Sequence, residues 1–216
     1  MPRLRALLFD IDGTLTDTEA VHFEAWTRIL KPLGRTVARD HYDRNFVGLT
    51  SDAIVERNFA DIDPVVAKRL PEEKEALFRS LLDRLVPTPG VREFIARARD
   101  AGIARAAVTN APRANAELML GKLGLIGEMQ TLVIGDELAH GKPHPLPYLT
   151  ALERLGMPAN AARVYEDSAA GVRSGVAAGV ETVGVDVHSA SVGATHPLLA
   201  LGAKRVIRDF GAETFG

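Results

Sequence analysis

The chain has 216 residues, 46% of them hydrophobic and 25% charged, a balance ordinary for one large globular domain or a core domain carrying an insertion. Its formal net charge of −2 offers no basic field of the kind that grips a phosphate backbone, so nucleic acid is not an expected partner. Zero cysteines exclude disulfides, thiolate nucleophiles and cysteine-ligated zinc. No apolar run approaches the ~20 residues of a membrane span. The first apolar stretch is interrupted by Asp10 and Asp12 and lacks the cleavage site of a signal peptide. The expectation is a cytoplasmic protein with no membrane partner, a monomer or weak homodimer.

In chain order, Leu4 to Phe9 read as a short buried strand stopped by a polar turn, which sets Asp10 and Asp12 at its carboxyl end ahead of Gly13-Thr14. Asp-x-Asp-Gly is also plain turn chemistry, so this stretch alone leaves turn and site open. Next comes a region without comparable strands. Trp26, Ile29, Leu30 and Leu33 form one helical stripe, Asp63-Pro64 and Leu70-Pro71 mark further helix starts, and Leu77, Phe78, Leu81, Leu82 and Leu85 form a second stripe. This is read as an all-helical insertion over 17–86, joined at Thr16-Asp17 and at "VPTPG" (Val86 to Gly90). It leaves a core of 1–16 and 87–216.

From Thr88 onward strands and helices alternate. Thr88-Pro89 predicts a capped helix start, with Val91, Phe94, Ile95 and Ala98 on one face and Gly102 as the stop. Strand Ile103 to Val108, a helix from about Pro112 to Gly124, and a strand near Leu132–Ile134 follow. A helix facing inward with Tyr148, Leu152 and Leu155 ends at Gly156. Strand Arg163–Tyr165, helix Ser168–Ala178, strand Thr182–Val185 and a short strand at Arg205–Ile207 complete the pattern. Repeated βα units predict an α/β fold, a Rossmann-like doubly wound parallel sheet with helices on both faces. Such sheets bind ligands at the carboxyl ends of their strands, where an insertion leaving after Asp12 would form a cap.

The other strand ends carry matching groups. "AVTNAP" offers the Thr109 hydroxyl and the Asn110 amide before a helix N-terminus suited to an anion, and one of the two is expected to cap that helix. "GKPHP" holds Lys142, which alone reads equally as an exposed loop lysine. "VYEDSAAG" leaves Glu166 and Asp167 just before Ser168, where acids also serve as ordinary helix-dipole partners. If the strands are neighbours, four carboxylates crowd one rim. Two of them ~4 Å apart repel by roughly 4 kcal/mol at an effective dielectric near 20. Lys142 supplies one positive charge, and a hard divalent cation in an all-oxygen shell, Mg²⁺, supplies the rest.

"DIDGT", "VTN", "GKP" and "YEDS", in this order and spacing, resemble the four motifs of the haloacid dehalogenase superfamily, and the resemblance spans the whole chain. The insertion, with "TDTEAVHFEAW", resembles the cap of its β-phosphoglucomutase-like and phosphoglycolate phosphatase-like branch. The resemblance implies Asp10 as nucleophile, Asp12 as general acid and base, and Thr109, Asn110 and Lys142 on the transferring phosphoryl group. It implies Mg²⁺ held by Asp10, the Asp12 backbone carbonyl and Asp167, with Glu166 as a ligand or a partner of one. In the cap, His22 would position Asp12 and Lys74 would meet substrate; a packed histidine and a solvated lysine are the plain alternatives. Two departures stand out. Where the mutase branch carries an arginine for a second phosphate, "VGLTSD" offers Ser51, and after the second motif Pro112-Arg113 replaces a lysine, leaving a role for Arg113 open. The expected activity is Mg²⁺-dependent hydrolysis of small phosphorylated metabolites, sugar phosphates foremost, with a phosphomutase as the alternative. A 2-haloacid dehalogenase and a non-catalytic metabolite-binding protein stand further off.

Overall fold

The computed structural model describes residues 3–189 and 195–215. The chain divides into two compact units, Met1–Asp17 with Leu85–Gly216, and Thr18–Arg84.

The first unit is built on strands β1 (Ala6–Phe9), β2 (Ala104–Thr109), β3 (Thr131–Ile134), β4 (Ala162–Glu166), β5 (Glu181–Val185) and β6 (Val206–Ile207). All neighbours pair in parallel, in the order β3-β2-β1-β4-β5-β6. Parallel strands are buried on both faces, which is why β1 is an unbroken apolar run and β2 is buried along its whole length although it carries Arg105. Ala6 and Leu8 face a cluster that includes Val108, Val133, Tyr148, Leu152 and Val164. On the other side Phe9 stacks on Tyr165 at 5.3 Å and meets Phe94 and Phe210 edge-on or tilted.

The second unit, the helical one, holds α1 (Glu19–Leu30), α2 (Arg39–Asn45), α3 (Ser51–Asn58) and α4 (Pro64–Leu81). Its own core is Trp26, Leu30, Tyr42, Phe46, Ile54, Val55, Phe59 and Leu70. Asp63 caps α4 through its carboxylate, with Pro64 at the first helical position. Leu70-Pro71 is not a helix start: Pro71 is buried inside α4, which runs through it. Back in the sheet unit come α5 (Val91–Asp100), α6 (Arg113–Lys122), α7 (Leu146–Leu155), α8 (Ala169–Ala177) and the short α9 (Pro197–Ala200). Thr88 does not cap α5. Gly90 occupies that position at φ 77°, and the buried Thr88 hydroxyl donates instead to the Thr14 carbonyl at 2.8 Å. Among the described residues no helix is long and apolar enough to cross a membrane.

Candidate active site

β1 is the central strand at which the chain order reverses, with β2 on one side and β4 on the other. That reversal is where an open α/β sheet leaves a crevice at its carboxyl edge. Phe9 lies opposite Tyr165 in the register, and the Asp10 amide donates to the Tyr165 carbonyl at 3.0 Å. Asp10 therefore falls beside Glu166 and Asp167 across adjacent strands. Carboxylate oxygens of these three residues lie within 4.8 Å of one another.

Lys142 enters this cluster from the loop after β3. Its ammonium donates to Asp10 Oδ1 at 2.6 Å and to the Val108 carbonyl at 2.7 Å, and stands 2.5 Å from Glu166 Oε1. The Asn110 amide fastens that loop in both directions: it donates to the Lys142 carbonyl and accepts from the Lys142 amide, each at 3.0 Å. Neither Thr109 nor Asn110 caps α6, which begins after Pro112 with no side-chain cap. Asn110 is committed to the Lys142 backbone, and the buried Thr109 hydroxyl accepts the Ala111 amide at 3.0 Å in a local turn.

Glu166 is fully buried. It accepts from the Tyr148 hydroxyl at 2.7 Å and, through its second oxygen, from Ser168 Oγ at 3.2 Å. With these contacts and Lys142, its geometry is that of an anchor beneath the lysine. Tyr148 was legible in the sequence only as an apolar helix position; its hydroxyl partner lies on a different element. Two glycines make room for the acids. A Cβ on Gly13, at φ +77°, would stand 2.0 Å from Asp167 Oδ2, and one on Gly171 would stand 1.8 Å from the Glu166 carboxyl carbon.

Burial raises the Asp10 carboxyl well above the usual range; Lys142 pulls it back, while Glu166 and Asp12 push it further up. Asp167 is raised for the same reasons, burial first and then Asp10 and Glu166. Burial works against the Lys142 ammonium, but Asp10 and Glu166 outweigh it and hold its pKa up. Three carboxylates facing one ammonium leave a net charge of −2 (−3 + 1) when all are ionised. An oxygen-only donor set with that surplus fits a hard divalent cation.

Asp12 follows in the same turn and bridges Thr16 in parallel fashion. Arg113 is exposed and held by Glu137 through two contacts of 2.6 Å and by Glu117 at 3.1 Å. His22 and Lys74 lie in the helical unit, where they meet each other. Lys74 Nζ is 2.8 Å from His22 Nδ1 and 2.9 Å from Glu75 Oε1, and the His22 ring stacks on Phe78 at 4.0 Å. Lys74 is only 2% exposed, so it is not a solvated lysine. Ser51 donates to the same Glu75 carboxylate.

A doubly wound sheet whose central strand delivers an aspartate into a lysine-anchored carboxylate cluster defines a class of α/β proteins equipped to act on anions at the strand ends. Within that class, the chain belongs to the haloacid dehalogenase-like hydrolase family, whose model matches residues 7–185. It is 32% identical to a phosphorylated carbohydrates phosphatase of Thermotoga maritima, over 95% of this chain and 94% of the relative. A fructose-1-phosphate phosphatase of Escherichia coli is 33% identical over 85% of this chain and 97% of its own length. The crystal structure of CbbY from Rhodobacter sphaeroides in complex with phosphate superposes with a TM-score of 0.83 at 26% identity, covering 97% of this chain and 96% of that one. Its relatives put the chain in the branch expected from the motifs, that of phosphoglycolate phosphatase-like and β-phosphoglucomutase-like proteins.

Proposed function

We propose that the protein is a Mg²⁺-dependent phosphatase of small phosphorylated metabolites, sugar phosphates foremost, working through an aspartyl phosphate on Asp10. The observation that carries this reading is the Lys142 ammonium bonded to one oxygen of Asp10. It orients the carboxylate and leaves the second oxygen to attack phosphorus.

In the first half-reaction that oxygen forms a bond to phosphorus as the phosphorus–oxygen bond to the leaving alcohol breaks. The Asp12 carboxyl group gives its proton to the departing oxygen. In the second half-reaction the Asp12 carboxylate takes a proton from water, whose oxygen attacks phosphorus and frees Asp10 and inorganic phosphate. Mg²⁺, bound by Asp10, the Asp12 carbonyl and Asp167, would supply the positive charge that lets an anionic nucleophile meet an anionic phosphoryl group. Lys142 neutralises charge on the nucleophile throughout, and Glu166 with Tyr148 holds that lysine in place. Thr109, the Asn110 backbone and the N-terminus of α6 are the hydrogen-bond donors offered to phosphoryl oxygens.

Hydrolysis is favoured over phosphomutation by the polar cluster of the helical unit. A mutase grips the second phosphate of a bisphosphorylated intermediate, for which a bidentate arginine is the natural device. Here Ser51 stands at the corresponding place, and Lys74 already faces the Glu75 carboxylate. The test is a screen of monophosphates with Mg²⁺, in which inorganic phosphate appears in proportion to substrate consumed and without a bisphosphate activator. Conversion of β-glucose 1-phosphate to glucose 6-phosphate much faster than phosphate release would replace the phosphatase reading with the mutase one.

A further inference from the structure

The chain leaves the sheet unit at Asp17 and re-enters it at Leu85, and the two crossing segments are joined side by side. The Thr16 hydroxyl donates to the Val86 carbonyl at 2.7 Å, and the Thr88 hydroxyl donates back to the Thr14 carbonyl at 2.8 Å. Between them the Thr88 amide donates to the Leu15 carbonyl at 2.9 Å, and Thr16 and Pro87 form an antiparallel bridge. Thr16 and Thr88 are 0% and 3% exposed. A buried hydroxyl is costly unless bonded, and valine would fill the same space without it. Two buried threonines that each spend the hydroxyl on the opposite segment are therefore a fastening and not filler.

Thr16 also closes the turn that carries Asp12. Its carbonyl accepts the Gly13 amide at 2.8 Å, and it bridges Asp12. One residue thus ties the turn of the proposed acid and base to the returning segment. We infer that Thr16 and Thr88 are positioning residues for Asp12. Their reciprocal hydroxyl bonds make the two crossing segments one short ladder, so the Asp12 turn is held by the sheet unit and not by the chain running on into the helices. The inference rests on the reading of Asp12 as general acid and base.

The test uses the full chain with Thr16→Val and Thr88→Val made separately, each beside its Ser counterpart, and Thr88→Ala should the valine fail to fold. General acid catalysis contributes ~10²–10⁴-fold, so a misplaced Asp12 should slow phosphorylation by a sugar phosphate by about 10-fold or more in single-turnover assays. The release of aryl alcohol from an aryl phosphate, which needs little protonation, should stay within about 2-fold. KM should hold, and the Ser variants should restore the sugar-phosphate rate. Amide exchange at Gly13, followed by NMR without any substrate, should quicken in the Val and Ala variants and recover in the Ser ones. Equal loss on both substrates, failure of serine to rescue, or unchanged Gly13 exchange would overturn the inference. Because the exchange readout needs no turnover, failure of the fastening is distinguishable from failure of the phosphatase reading itself.

Discussion

Alanine placed at Gly171 and at Gly121 should move stability in opposite directions, although both glycines are helical. Helix propensity alone favours alanine over glycine by about 0.5–1 kcal/mol. At Gly121, exposed in α6, a Cβ would meet nothing within 4 Å, so Gly121→Ala should realise that gain. At Gly171, in the first turn of α8, the Cβ would stand 1.8 Å from Glu166 Oε1 and 2.0 Å from Oε2. That carboxylate has little freedom to yield, being held by Tyr148 at 2.7 Å, Ser168 at 3.2 Å and Lys142 at 2.5 Å. Overpacking costs about 1–3 kcal/mol and a lost buried charge-assisted hydrogen bond about 1.5–3 kcal/mol, so Gly171→Ala should destabilise by roughly 2–5 kcal/mol after the helix gain. At about 2–4 °C per kcal/mol for a chain of this size, Tm should fall by roughly 4–20 °C for Gly171→Ala and rise by about 1–4 °C for Gly121→Ala. Thermal unfolding followed by circular dichroism, comparing the transition of the sheet unit that holds both sites, reads the two shifts. A Gly171→Ala protein as stable as the wild type would refute the placement of Glu166 against α8.

Asp10→Asn should bring turnover to near background while the protein keeps its circular dichroism spectrum, since only the nucleophile is lost; substantial activity in the folded variant would sink the assignment. Chelation should stop turnover and Mg²⁺ should restore it, while Ca²⁺, with its larger and looser shell, should restore it poorly. The raised Asp10 and Asp167 carboxyls give this a pH signature. Their folded-state values lie above the unfolded value of 3.8, so their contribution to the metal-free fold is full below that value and is lost as pH rises through the raised ones. A bound cation offsets that loss, and the increase in Tm on adding Mg²⁺ should grow from acid toward neutral pH; a pH-independent increase would count against the site. Asp12→Ala should slow phosphorylation by a sugar phosphate far more than by an aryl phosphate in single-turnover assays, and equal losses would remove Asp12 from its role.

What the sequence by itself determined is what depends on neighbours along the chain. An all-parallel sheet buries its strands on both faces, so β1 announced itself as a continuous apolar run, and the polar ends of β1 and β2 marked Asp10, Thr109 and Asn110. Ser168 was legible as a helix cap because its partner, the Gly171 amide, is three residues away. Where local signals compete with distant partners, only the tertiary structure decided. Thr88 looked like a cap, yet its hydroxyl bonds the carbonyl of Thr14, 74 positions earlier. Asn110 looked like a cap or a phosphate ligand, and its amide is taken by the Lys142 backbone, 32 positions further on in the loop after β3. Lys74 read either as a substrate contact or as a solvated helix lysine, and folding set it against His22, 52 positions away. Gly13 was legible as a turn glycine, but the Asp167 carboxylate that fills the place of its missing Cβ was not. A hydrogen bond or a steric exclusion is settled by distances in space, and strand order alone brings the ends of β1 and β4 together. That neighbourhood turns scattered acids and one lysine into a single charged site.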